Sequence, residues 1–135
     1  MVGPSFDTGV VAACRRHDVA VMPGAITPTE VVNAWNAGAD VVKVFPCGAV
    51  GGAAYIKALK APPPHVELMP TGGVTVDTAA AFVKAGAFAL GVGTELVNMQ
   101  ALLDGSAAQL TERARQFLQV TREARLKKPS SMPQG

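Results

Sequence analysis

The sequence predicts a parallel α/β fold, and three observations predict it. Short apolar runs at Val19 to Met22, Val41 to Phe45, Val66 to Met69 and Phe88 to Val92 recur about every 22 to 25 residues, a spacing that holds one strand and one helix. The runs are nearly continuous in apolar character instead of alternating, as expected of parallel strands covered on both faces. Between them lie helix start and stop signals. Repeating βα units follow from the three together.

The elements can be justified in order. Met1-Val2 runs straight into Gly3-Pro4, so only a partial strand precedes a first helix expected near Gly9 to His17 and capped by Asp7. Thr27-Pro28-Thr29-Glu30 supplies an N-cap threonine, a proline at the first helical position and a glutamate able to close a capping box. The second helix starts there and stops at Gly38. Thr75 caps another helix over Val76 to Ala85, and the same Ala-Gly-Ala pattern ends it at Gly86. Pro62-Pro63-Pro64 breaks the helix that precedes the Val66 run. A last helix runs from about Ala107 to Arg125, with Leu110, Ala114, Phe117, Leu118 and Val120 or Thr121 at helical spacing. Residues 1–125 thus read as one domain, and residues 126–135, rich in Lys, Pro, Ser, Gln and Gly, as a flexible tail.

Bulk composition agrees. A chain of 135 residues with 49% apolar and 16% charged residues is long enough to bury a sizeable core and too apolar to be disordered. The net charge is +2 with a single Trp and a single Tyr, which argues against a nucleic-acid surface. Cys14 and Cys47 have neither disulfide-framework nor metal spacing, so they read as free thiols in a reducing cytoplasm. No apolar run approaches the ~18 residues of a membrane span, and no signal-peptide pattern opens the chain. The expectation is a soluble cytosolic protein.

In parallel α/β folds the functional groups gather at the C-terminal ends of the strands. Here those ends are rich in glycine, proline and small hydroxyls: Gly3-Pro4-Ser5, Met22-Pro23-Gly24, Phe45-Pro46-Cys47, Pro70-Thr71-Gly72-Gly73 and Gly91-Val92-Gly93-Thr94. Lys43 lies inside the apolar run Val41 to Phe45. One reading has its stem buried and its head in water. The other has burial favouring the neutral amine, a nucleophile toward carbonyl groups. Strand alternation puts Val41, Lys43 and Phe45 on one face and Val42 and Val44 on the other. An amine beside an apolar ring can form an imine with a keto substrate, and the protonated imine is an electron sink for carbon–carbon bond chemistry. The two glycine turns, Gly72-Gly73 and Gly93-Thr94, suit a phosphate held by backbone N–H groups.

The remaining polar residues have structural explanations. Asp7 and Glu30 are caps, Asp40 and Glu67 sit at or near strand starts, and Glu95 is expected at a solvated rim. No general base stands out. His17 and His65 fall on the face opposite the strand C-termini, and no cofactor or metal is implied. Cys47 follows the Lys43 strand and reads as an inert thiol, while Trp35 and Phe82 read as packing residues.

These residues, in order and at matching spacing over residues 2 to 125, resemble the 2-keto-3-deoxy-6-phosphogluconate (KDPG) aldolase family, which includes 4-hydroxy-2-oxoglutarate aldolases. The resemblance implies a TIM-type (β/α)8 barrel of which this chain holds roughly the last five βα units. It also implies a class I aldolase, a homo-oligomer (a trimer in the family), that cleaves a phosphorylated keto acid to pyruvate and glyceraldehyde 3-phosphate. Lys43 matches the imine-forming lysine, Phe45 the aromatic against the pyruvyl part, and Pro4 a site proline. Thr71 matches the threonine that contacts the carboxylate. Gly72, Gly73 and Gly93 match the phosphate-binding backbone, and Thr94 stands where many members carry serine. The family's first three βα units, its catalytic glutamate and a site arginine have no counterpart. Two other readings stay open: a non-catalytic piece of such a barrel, and a phosphate-binding barrel isomerase or synthase that forms no imine.

Overall fold

The structure, a computed structural model, describes residues 1–61 and 65–127. Three short strands, β1 (Gly24–Ala25), β2 (Val42–Val44) and β3 (Leu68–Pro70), form a parallel sheet in that order. Single parallel bridges flank it, Val2 to Met22 on one side and Thr71 to Gly91 on the other. Helices α1 (Thr8–Arg16), α2 (Pro28–Asn36), α3 (Gly52–Lys60) and α4 (Val76–Lys84) make the crossovers. A 3-10 turn at Cys47–Val50 leads into α3, and α5 (Met99–Leu103) and α6 (Ala107–Leu126) follow the last bridge.

The repeating βα order is as the spacing predicts, with several corrections. The run Val19 to Met22 is not itself the strand: Met22 makes only a bridge, and regular pairing begins at Gly24. Likewise the run Val66 to Met69 pairs from Leu68 to Pro70, and Phe88 to Val92 contributes one bridge at Gly91. Helix α5 carries no signal that the sequence reading used, and α6 continues one residue past Arg125 to Leu126, into the expected tail. The rest of that tail beyond Lys127, and Pro62-Pro63-Pro64, lie outside the described residues.

Cover on both sheet faces is also corrected. Alternation sends Ala25, Val42, Val44 and Leu68 toward the helices, where they join Val31, Ala34, Ile56, Ala79, Phe82 and Phe117 in one buried cluster. Val42, Val44 and Leu68 are 0% exposed. On the other face Val41 and Met69 are buried, but Lys43 is half-buried and Phe45 is 39% exposed, so that face opens toward the strand C-termini. Phe82 is core, and Trp35 packs against it from the side, with the His65 ring edge-on at 6.2 Å.

Local signals fix the helix ends. Asp7 accepts from the Val10 N–H at 2.9 Å. In the α2 box the Glu30 carboxylate accepts from the N–H groups of Thr27 (2.8 Å) and Ile26 (2.9 Å). Gly38 and Gly86 take positive φ at the stops of α2 and α4. The backbone bonds from Thr27 and then Ile26 hold the Glu30 carboxyl below the ordinary carboxylate range. A lowered folded-state value means that its stabilisation is present above the unfolded-state value and is lost as pH falls through the folded one. Glu30→Gln is therefore expected to be less stable than the parent near neutral pH, with the gap closing on acidification. Urea melts across that range check it.

Candidate active site

Strand β2 presents Lys43 on the open face because Val42 and Val44 occupy the helix-facing one. Its register partners are Gly24 on β1 and Met69 on β3. The Lys43 Nζ lies 4.8 Å from the centroid of the Phe45 ring, the next residue on the same face. Ring and ammonium attract through the ring quadrupole, which orders a long side chain at little cost.

Beyond Phe45 the chain turns through Pro46 and is laced to the turn after β3. The Cys47 N–H donates to the Thr71 carbonyl and the Gly48 N–H to the Gly72 carbonyl, each at 2.9 Å. Gly72 and Gly73 both have positive φ, and a Cβ at Gly73 would stand 2.9 Å from the Gly48 Cα, so two backbones touch there. The result is a cleft of about 220 Å³ walled by Phe45, Thr71, Gly72, Gly73, Gly93 and Thr94, with Gly91 and Glu95. Among the described residues, the N–H groups of Gly73, Gly93 and Thr94 make no hydrogen bond, while that of Gly72 faces the Gly91 carbonyl across the Thr71–Gly91 bridge. Unpaired N–H groups on residues that wall a small cleft are the material of an anion cradle.

Thr71 stands between the amine and this cradle. Its hydroxyl is buried and has no partner among the described residues. It points across the bridge at Gly91, where a Cβ would fall 2.0 Å from the oxygen.

The structure therefore gathers six of the expected site residues around one cleft, with Lys43 adjoining it through the Phe45 ring. Pro4 is not among them. It lines a separate cavity of about 120 Å³ with Met1, Ser5 and Pro23, although its carbonyl backs onto Gly24, the register partner of Lys43.

Asp7 and Glu30 are occupied as caps, and Asp40 and Glu95 as ties. Asp40 accepts from the Val21 N–H (2.7 Å) and from Arg15 (3.1 Å). Glu95 is exposed, as expected, but pairs with Arg113 at 3.2 Å, while the Arg113 Nε donates to the Glu95 carbonyl at 3.1 Å. That double contact ties the Gly93-Thr94 turn to α6. The sequence held no signal for it, since the two residues are separated by a helix and two turns. Burial pushes the Cys47 thiol up to about 11, so it stays a thiol at neutral pH. His17 caps α1, away from the cleft.

An amine on the open face of a parallel sheet, with an aromatic beside it and a glycine-walled cleft at the strand ends, makes this a parallel α/β protein whose candidate site lies at the strand C-termini. Comparison with known proteins gives its family. The family model described as KDPG and KHG aldolase matches residues 1–113, and the chain belongs to that aldolase family, whose members are lyases. It is 35% identical over 120 residues to the 2-dehydro-3-deoxy-phosphogluconate aldolase of Treponema pallidum (strain Nichols), a match covering 89% of this chain and 57% of that protein. It is 34% identical over 125 residues to the 2-dehydro-3-deoxy-6-phosphogalactonate aldolase of Escherichia coli (strain K12), covering 92% and 58%. The solved structure described as native KDPGal superposes with a TM-score of 0.84 at 32% identity, covering 93% of this chain and 59% of that one. The chain thus spans a little under three-fifths of the length of these relatives. Among the described residues no helix is long and apolar enough to cross a membrane.

Proposed function

We propose that residues 1–125 form roughly the last five βα units of a (β/α)8 barrel, a class I aldolase that cleaves 2-keto-3-deoxy-6-phosphogluconate to pyruvate and glyceraldehyde 3-phosphate. The observation that carries the reading is the Lys43 amine, held at 4.8 Å from the Phe45 ring on the sheet face that leads into the glycine-walled cleft. In this reading the neutral Lys43 amine attacks C2 of the keto acid, and loss of water leaves a protonated imine. Breaking the C3–C4 bond sends its electron pair into that imine as an enamine, while the C4 hydroxyl loses its proton and leaves as the aldehyde. Protonation at C3 and hydrolysis then release pyruvate and the amine.

Phe45 shields the imine, Thr71 meets the carboxylate, Pro4 closes the row beside Gly24, and Gly72, Gly73, Gly93 and Thr94 hold the phosphate. The proton from the C4 hydroxyl needs a base. Among the described residues no carboxylate pairs with Lys43, so this reading gives that role to water or to a group from outside residues 1–127. A homo-oligomer, trimeric as the resemblance implies, belongs to the same reading.

Imine formation with pyruvate needs the amine and neither the phosphate cradle nor C3–C4 cleavage, so capture is tested apart from turnover. Incubation with pyruvate and borohydride should give one stable adduct, on the peptide holding Lys43. A chain that captures no pyruvate sinks the reading. The phosphate end has its own check at Gly48, where a Cβ would meet the Gly73 Cα at 3.1 Å and the Gly72 oxygen at 3.2 Å. Gly48→Ala is expected to raise the half-saturating concentration of the phosphorylated keto acid several-fold in the capture assay. That of pyruvate, which has no phosphate, should stay unchanged.

A further inference from the structure

We infer that Gly91 is a positioning residue for Thr71: the missing side chain at 91 gives the Thr71 hydroxyl its place beside the Lys43 face and thereby sets the affinity for the carboxylate of a keto acid. The inference rests on the aldolase reading above and adds to it a residue from the last strand position.

Glycine at 91 is not explained by backbone conformation, since it is not among the glycines with positive φ. Room explains it. A Cβ at 91 would lie 2.0 Å from the Thr71 Oγ1, 3.0 Å from the Thr71 Cβ and 3.3 Å from the Pro70 carbonyl oxygen. Turning Thr71 about its Cα–Cβ bond would relieve the first overlap but not the second. The strand end bearing Thr71 would have to move away from Gly91, against the hydrogen bonds from the Gly91 N–H to Pro70 (2.8 Å) and from the Thr71 N–H to Val44 (2.9 Å). By contrast, a Cβ at Gly93 meets nothing within 4 Å. The notch is specific to position 91.

The hydroxyl in that notch calls for a partner, because a buried polar atom without one is costly. Thr71 lies two residues beyond Met69, the register partner of Lys43. Thr71 and Lys43 are therefore on one face with Cα atoms on the order of 8 Å apart, from strand spacing and rise. A carboxylate bonded directly to the carbonyl carbon that Lys43 attacks spans this interval. A charged partner is the strong kind of acceptor for a hydroxyl, so moving Thr71 away should cost about tenfold in affinity.

The test is borohydride capture by the full chain, titrated with pyruvate and with methyl pyruvate, which keeps the ketone but lacks the charged carboxylate. Gly91→Ala is expected to raise the half-saturating pyruvate concentration about tenfold while leaving that of methyl pyruvate within about twofold. Thr71→Ala should do the same, and Thr71→Ala/Gly91→Ala should be no worse than Thr71→Ala alone, because one lost hydroxyl accounts for both. A cooperatively melting Gly91→Ala that captures pyruvate as the parent does, or that loses both probes equally, overturns the inference while the aldolase reading stands. If Gly91→Ala does not fold, the double variant decides: folding with weak pyruvate and normal methyl pyruvate capture supports the inference. Failure of the double variant to fold overturns it, since contact with the position-71 Cβ and the Pro70 carbonyl, both kept in that variant, would then be what demands glycine. A parent chain that captures neither probe overturns this inference and the aldolase reading together.

Discussion

Lys43→Ala is expected to abolish the borohydride-stable pyruvate adduct and to lower any cleavage activity by at least about a thousandfold. The expectation follows from where the amine is. Lys57, Lys60 and Lys84 sit in the last turns of α3 and α4, at the end of the sheet opposite the cleft, so they cannot substitute for it. Lys43→Arg should fail equally, because a guanidinium keeps the charge but does not deprotonate to a nucleophile in proteins. Stability should barely change: Lys43 lies on the open face, outside the core cluster, and substitutions there are usually worth less than about 1 kcal/mol. Mass spectrometry of the trapped protein and urea melts separate the two effects. An adduct of equal yield in Lys43→Ala would remove this residue from the chemistry. Loss of cooperative unfolding would instead mean that its stem is structural.

What could be read from the sequence was local. The Thr27-Pro28-Thr29-Glu30 box is a matter of bonds within four residues, and the structure has all of them. The sharing of one face by Lys43 and Phe45 needs only a period of two. The second box, Thr75 with Thr78, escaped because a threonine in place of glutamate gives no signature, although its hydroxyl makes the same return bond, at 2.8 Å. Strand limits shifted because apolar runs record burial, whereas pairing depends on which carbonyls face which N–H groups. Val19 is 44% exposed despite its place in such a run, while Pro70 is fully buried. Cover on both faces was inferred from the same apolarity, which here serves the helix side together with Val41 and Met69 on the other face. The juxtapositions that shape the cleft were out of reach for a different reason. Thr71 against Gly91, Gly48 against Gly73 and Glu95 against Arg113 join separate elements, and no spacing rule encodes a register between them.

The same reasoning makes Gly24 the most vulnerable position in the sheet, and Gly24→Ala is expected to destabilise the chain by roughly 2–4 kcal/mol. A Cβ there would stand 2.1 Å from the Pro4 carbonyl oxygen, 2.2 Å from its carbon and 2.7 Å from the Ser5 nitrogen. All three are backbone atoms, so no side chain can turn aside. The first segment would have to leave β1, straining the bonds from the Gly3 N–H to Met22 (3.1 Å), from the Met22 N–H to Met1 (2.8 Å) and from the Gly24 N–H to Ser5 (3.2 Å). Movement toward β2 instead is blocked, because the Lys43 N–H is bonded to the Pro23 carbonyl at 2.9 Å and Gly24 is in register with Lys43 itself. The matched control is Gly93→Ala, where open space predicts a change within about 0.5 kcal/mol. Urea denaturation of the two variants side by side measures the difference. If Gly24→Ala melts with its control, the close approach of Pro4 is not what holds the first segment, and its carbonyl is free to move away from the Lys43 row. If it melts as expected, one hydrogen atom at Gly24 is what allows the edge of the sheet to lie against the strand that carries the amine.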